Sequence, residues 1–256
     1  MTDIAMLAEL LDSAAGNAQS VTQLSESGHL LSLEEAYAVQ ALSIQRRLER
    51  GEKLIGVKMG FTSRAKMAQM GVDDLIWGRL TDAMLVENGA SLNMADFVHP
   101  RIEPEIAFRL GRSLHGDITL QEAMQAVDGI APAMEIIDSR YENFKFSLTD
   151  VVADNCSSSA LVVGDWQTPD LDLQDLAMQM TFDGAEVQQG SSAEILGNPW
   201  QSLVEAARLA AQADMTLQQN WIVMAGAATA AEALRPGVHA QVSVQKLGEA
   251  AVHVNS

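Results

Sequence analysis

The chain has 256 residues, 48% of them hydrophobic, and carries 34 acidic against 16 basic side chains for a formal net charge of -18. That is enough for one large domain with a real core, or a small domain beside a larger one. The negative surplus argues against nucleic acid and anionic membrane surfaces as partners. A single cysteine, Cys156, excludes an intramolecular disulfide and fits a reducing cytoplasm.

Residues 3–15 read as a helix with Ile4, Leu7, Ala8 and Leu11 on one face. The acidic start lacks the basic region of a secretion signal. No apolar run approaches the roughly 18 residues that span a bilayer. After the polar stretch GNAQSVTQ, Ser32 and Glu35 have the spacing of a capping box, opening a helix through about Arg50 that stops at Gly51. Residues 1–52 thus form a small helical N-terminal region, and 53–256 a strand-rich unit.

From Lys53 the texture changes. LIGVKMGF reads as a strand and SRAKMAQMG as a short helix ending at Gly71. A strand over 98–110 follows, then a helix near 119–127 capped by Thr119 or Asp117. Further strands are expected near 130–138, 159–164 and 177–188, and a helix over 199–213. Two closing strands are expected around the turn at Pro236 and Gly237. Strands and helices do not alternate regularly, which favours an α+β fold with a mixed or rolled sheet over a doubly wound one.

Chemistry concentrates first in HPRIEPEIAFRL. With a strand's period of two, Ile102, Pro104, Ile106, Phe108 and Leu110 point one way, and Glu103, Glu105, Ala107 and Arg109 the other. Glutamate is disfavoured in strands and two same-face carboxylates repel, so a divalent cation between them is one reading. A half-buried strand with a wet face is the other. Glu135 interrupts the apolar run GIAPAMEII and needs a cation, either in a salt bridge or as a third ligand of the same metal. Three oxygen ligands with no nearby Cys or His suit Mg²⁺ or Mn²⁺.

Lys58, flanked by Gly56 and Gly60, marks a place where something approaches the backbone, or a lysine whose stem covers the surface. The run DNCSSSA reads by default as a loop bonded to itself. No G-x-S-x-G elbow is present and the five histidines show no metal spacing. Nothing in the sequence sets a histidine beside Cys156 to make it a nucleophile.

The segments GVKMGFTS, MGVDDLIWGRLTDAM, HPRIEPEIAF, APAMEIIDSR, DVVADNCSSS and LGNPW, in this order, resemble the 2-oxopent-4-enoate hydratase and 4-oxalocrotonate decarboxylase family of the fumarylacetoacetate hydrolase-like superfamily. The resemblance runs from about Ser32 to the end. It implies a mixed-sheet roll behind the helical N-terminal region. It implies one Mg²⁺ or Mn²⁺ held by Glu103, Glu105 and Glu135, with Lys58 at the active site and Ser157 in a substrate-contacting loop. The substrate would be a 2-oxo acid whose carboxylate and 2-oxo oxygen chelate the metal.

Within the family, hydratases keep an aspartate immediately before the aromatic–glycine pair. Here Ile76 precedes Trp77 and Gly78, so the acid–base group for hydration is missing. The resemblance therefore implies the decarboxylase branch, acting on 2-oxohex-3-enedioate in meta-cleavage catabolism of aromatic compounds, with the hydratase as the first rival. A fumarylpyruvate-type hydrolase and a non-catalytic, metal-stabilised partner subunit are the others. Ile76 and Trp77 would form an apolar wall, and Arg79 or Arg140 would orient the second carboxylate. A homo-oligomer and a complex with the hydratase that consumes the product are expected from the resemblance alone. Many superfamily members carry a Thr-Gly pair where this chain has Ala225-Gly226, which puts a substrate hydrogen bond from that position in doubt.

Overall fold

Two helices open the chain in a computed structural model that describes residues 3–63, Met67 and 74–256. Helix α1 (Ile4–Gly16) starts at Asp3, whose carboxylate accepts the Met6 N–H. Helix α2 (Leu33–Glu49) has the expected capping box: Ser32 Oγ accepts from the Glu35 N–H at 3.1 Å, and Glu35 accepts from the Ser32 N–H at 2.9 Å. Asp12 of α1 receives Arg46 of α2 and Arg50 at its C-cap at 3.1 and 2.7 Å, tying the two helices together. The short helix expected over SRAKMAQMG lies outside the described residues except for Met67.

Eight strands form the larger sheet. Strands β1 (Leu54–Gly60), β2 (Ile76–Thr81), β3 (Leu85–Val86), β5 (Arg101–Leu110), β6 (Val127–Ile137), β7 (Ser158–Val163) and β10 (Ile222–Met224) lie in the order β2-β1-β10-β5-β6-β7-β3, and β11 (Glu232–Ala233) extends the β10 side of β5. The β1–β10 and β3–β7 pairs are parallel and the rest antiparallel, so the sheet is mixed. A second sheet of five strands runs β4 (Ser91–Asn93), β13 (Gly248–Asn255), β12 (His239–Val244), β8 (Ala177–Phe182), β9 (Ala185–Ser191). Helices α3 (Leu120–Ala126, capped by Thr119), α4 (Leu148–Ala153) and α5 (Pro199–Gln212) fill the connections.

Two expectations about strands need correction. The single strand expected over 177–188 is a hairpin, turned at Asp183 and Gly184, both at positive φ. Asp-Gly is a strong hairpin signal, because both residues tolerate the left-handed region that a tight turn needs. The turn at Pro236 and Gly237 separates the short β11 from β12, and the closing hairpin instead turns through 245–247, with Lys246 at φ 62.

The main core lies on one face of the larger sheet. Ile102, Ile106 and Phe108 of β5 join Ile130, Met134 and Ile136 of β6 there, against Val242 and Val252 of the second sheet. Helix α5 buries Trp200, Leu203, Ala206, Ala207 and Ala210, a spacing of three and four residues, and Trp200 meets Phe108 at 4.6 Å between centroids. A second cluster joins Leu7, Leu11 and Val39 of the N-terminal helices to Ile76, Tyr141, Val151 and Cys156. The helical region therefore shares a core with the sheet and is laid directly over β2 and α4.

Candidate active site

The apolar alternation of β5 faces the main core, which turns its glutamates to the other face. That face is not wet: Glu105 and Glu135 are fully buried and Glu103 nearly so. Glu103 stands directly opposite Glu135 in the β5–β6 register, with Glu105 one step along. Lys58 enters the same face from β1, because Lys58 pairs with Met224 of β10, and Met224 with Ala107 of β5. Lys58 Nζ donates to Glu135 Oε2 at 3.0 Å.

One carboxylate oxygen from each of Glu103, Glu105 and Glu135 lies within 4.8 Å of the others. Glu105 Oε2 accepts the Gly226 N–H at 2.8 Å. Glu105 Oε1 and Glu135 Oε1 are buried without a hydrogen-bond partner among the described residues. An orphaned buried carboxylate oxygen is costly, and two of them aimed into one cluster fit a hard divalent cation. Burial, then the charges of Glu135 and Glu103, raise the Glu105 carboxyl well above its ordinary range, with Lys58 and the Gly226 N–H pulling the other way. Burial opposes the charge on Lys58, but Glu135, with help from Glu103 and Glu105, outweighs it and keeps the ammonium charged above the usual lysine range.

Gly226 is positioned by necessity. It sits at φ +104, and a Cβ there would lie 2.2 Å from Thr62 Oγ1. Only glycine brings its N–H this close to Glu105. Its neighbour Ala225 offers main-chain groups alone: its N–H goes to Ile106 and its carbonyl accepts Ser202 Oγ.

The loop DNCSSS is unusual. Asn155, Cys156 and Ser157 all sit at positive φ, 48, 53 and 60. Three consecutive non-glycine residues in this region make a short left-handed turn, at about 1–2 kcal/mol each. The turn crosses β2 so closely that a Cβ at Gly78 would lie 2.7 Å from the Asn155 carbonyl oxygen, and Gly78 is the cross-strand partner of Lys58. Ser157 Oγ is buried without a partner among the described residues. Burial pushes the Cys156 thiol up to about 12 despite the nearby Lys58 charge, so it is a neutral thiol and no nucleophile.

The five residues expected to touch substrate separate. Ile76 shares the Lys58 face and lies over Gly60. Ser157 is in the turn just described. Trp77 and Arg79 project from the opposite face of β2, since adjacent strand residues alternate. Trp77 packs in the main core and stacks on Tyr37, so it does not share a wall with Ile76. Arg79 lies 4.5 Å over the Trp77 ring and donates to Gln40 Oε1 at 2.5 Å; burial lowers its guanidinium to about 10.

Arg140 is the clearest correction. Its Nε and main-chain N–H both donate to the Asp154 carboxylate, and its other nitrogens to Asp138 O, Ser159 Oγ and Asp154 O. Every nitrogen of its fork donates to the chain, which pins the segment at 138–140 to Asp154 and Ser159. The Asp138 carboxylate in turn accepts the Val98 and His99 N–H groups at the entrance to β5. Sequence reasoning missed Gly226 and Asn155, whose jobs depend on segments distant in the chain.

A cavity of about 430 Å³ lies away from this centre, lined by Asp12, Arg47, Arg140 and Ser158 among others, and neither Lys58 nor the three glutamates border it. A groove of about 340 Å³, lined by Ser63, Gln188, Gly190 and Ala227 to Ala230, follows the segment that continues from Gly226.

The model of the fumarylacetoacetate (FAA) hydrolase C-terminal family matches residues 53–255. A 4-oxalocrotonate decarboxylase from Pseudomonas sp is 54% identical over 245 residues, covering 96% of this chain and 95% of the relative. A 2-keto-4-pentenoate hydratase from Paraburkholderia xenovorans is 33% identical over 235 residues, covering 90% and 87%. Among solved structures, 4-oxalocrotonate decarboxylase from Pseudomonas putida G7, complexed with magnesium and adipate, superposes with a TM-score of 0.96 at 36% identity, covering 99% of this chain and 98% of that one.

Proposed function

The chain belongs to the fumarylacetoacetate hydrolase C-terminal family, and on that premise we infer that it is a metal-dependent decarboxylase that converts 2-oxohex-3-enedioate (4-oxalocrotonate) to 2-hydroxypenta-2,4-dienoate and CO₂ in meta-cleavage catabolism of aromatic compounds. The observation that carries the reaction is the 54% identity to a decarboxylase over nearly the whole of both chains, against 33% to a hydratase.

Glu103, Glu105 and Glu135 are proposed to hold Mg²⁺ or Mn²⁺, an assignment supported by the two orphaned oxygens and the surplus of buried negative charge. When bound, the ion supplies positive charge at the substrate's 2-oxo oxygen, a sink for the electrons released as CO₂ departs. The bond to the distal carboxylate breaks, its electron pair shifts through the double bond onto that oxygen, and a proton completes the dienol. Lys58, kept charged by the carboxylates around it, acts as a hydrogen-bond donor to the oxygen where charge develops, not as a base. Gly226 fixes the Glu105 carboxylate through its N–H. Ile76 gives the Lys58 face an apolar wall where an acid–base carboxylate would serve hydration. Ser157 Oγ, buried without a partner among the described residues, is a substrate contact.

Residues 1–52 serve as the helical region and 53–256 as the catalytic unit. A homo-oligomer and a complex with the hydratase that consumes the dienol belong to the same proposal, because that product is unstable. So does a cytoplasmic site of action; no helix among the described residues is long and apolar enough to cross a membrane.

The test is CO₂ release from 2-oxohex-3-enedioate with and without chelator. Metal-dependent release is expected. Hydration of the dienoate with no CO₂ from the diacid would transfer the chain to the hydratase branch, which its 33% relative keeps in view.

A further inference from the structure

Strand β2 is an edge strand, and an edge strand leaves main-chain groups without partners. Trp77 and Arg79 present these groups away from β1. In this fold, side chains cover them. The Trp77 N–H donates to Tyr37 Oη at 3.3 Å. The Trp77 carbonyl accepts Gln40 Nε2 at 3.1 Å and Cys156 Sγ at 3.1 Å. Asn155 pairs with Arg79 as a neighbouring strand would, accepting its N–H at 2.8 Å and donating to its carbonyl at 2.9 Å.

Gln40 is the hub of this seal. It is fully buried, and both ends of its amide are used. Nε2 donates to the Trp77 carbonyl and to the Val152 carbonyl at 2.9 Å, and Oε1 accepts Arg79 Nη1. One side chain of α2 thus joins the edge of β2, the end of α4 and the guanidinium of Arg79. These same elements carry Ile76 and Gly78 on the Lys58 face and the left-handed turn that crosses Gly78.

We propose that Gln40, which lies outside the matched residues 53–255, is a positioning residue for catalysis: it locks β2 and the 155–157 turn against Lys58 from the N-terminal helix. The inference rests on the functional reading above only in needing a turnover to measure. Either decarboxylation or hydration serves, whichever the unmodified chain performs.

Three variants test it. Gln40→Met keeps the volume and removes every hydrogen bond that the amide makes. Gln40→Glu keeps the shape and the bond to Arg79 but sets a carboxylate against two carbonyl oxygens, and Gln40→His, which keeps a ring N–H donor, is the milder third variant should either of the first two fail to fold. Below the melting range, kcat is expected to fall tenfold or more in each folded variant, with Mg²⁺ affinity by titration calorimetry and KM within about twofold of the parent. A melting temperature that drops while kcat stays at the parental value would make Gln40 merely structural and overturn the proposal. So would a loss of Mg²⁺ affinity in step with activity, because the lock acts on the Lys58 side and not on the glutamates. An unmodified chain inactive on the diacid but active on the dienoate would sink the decarboxylase reading and leave this comparison intact.

Discussion

Two clusters of buried charge sit in this molecule and are finished differently. Around Arg140, one guanidinium meets one Asp154 carboxylate, and every nitrogen of Arg140 donates to an acceptor from the chain. Around Lys58, three carboxylates face one ammonium, and two buried carboxylate oxygens have no partner among the described residues. Burying ions is expensive in both places. The first cluster offsets the cost from within and holds the fold. The second leaves a deficit of positive charge that an external cation must make good. A buried ionic group is a candidate for chemistry when its accounting is incomplete.

The comparison can be broken at either end. Glu105→Gln removes a charge from the incomplete cluster and should cost activity at least about a thousandfold, about 4 kcal/mol in barrier, in steady-state assays with Mg²⁺. Full activity with normal metal content would refute the three-glutamate centre. Arg140→Met empties the complete cluster and should cost about 3 kcal/mol of stability in urea unfolding. The loss stays near the low end because burial, against the pull of Arg140, pushes the Asp154 carboxyl up to about 6, so it takes a proton readily. Metal affinity per folded molecule should be unchanged.

Metal itself should sharpen the contrast. At a hundredfold excess over its dissociation constant, Mg²⁺ should add about 2.7 kcal/mol to folding stability. Calorimetric melting with and without chelator measures the shift, and Glu105→Gln should largely erase it while Arg140→Met keeps it.

The smallest effect lies at the α1–α2 contact. Burial works against the Asp12 charge, but Arg50 and Arg46 hold its carboxyl below the ordinary 3.8. With the folded value depressed, the contribution is present above the unfolded value and is lost as pH falls through the folded one. Asp12→Asn should therefore cost about 1 kcal/mol near neutral pH. In urea titrations at a series of pH values, that difference from the parent should shrink below pH 4 and vanish in strong acid.

Part of this was legible in the sequence. The period-two pattern of β5 placed Glu103 and Glu105 on one face, and Glu135 stood out as a charge within an apolar run. Whether that face was wet could not be read, because wetness depends on what covers a strand. Strand parity was available for β2 and would have separated Ile76 from Trp77 and Arg79, since neighbours in a strand point apart. The Asp-Gly turn at 183–184 was likewise readable. Arg140 could not be assigned, because its engagement depends on a main-chain turn and a carboxylate 14 residues away. Gly226 and Gln40 were hidden for the same reason: the first works through Thr62 and Glu105, the second through Trp77 and Val152.

The left-handed turn at 155–157 carries one more consequence, for selection under heat. Glycine adopts these backbone angles without steric strain, so Cys156→Gly relieves about 1–2 kcal/mol, partly offset by the greater entropy of the unfolded chain and the lost thiol contact to Trp77. The same change loosens the strip of chain that crosses Gly78 beside Lys58. A population screened for endurance alone has an incentive to soften this turn, while one screened for turnover must keep it stiff. Thermal robustness and catalytic competence are set against each other at these three residues.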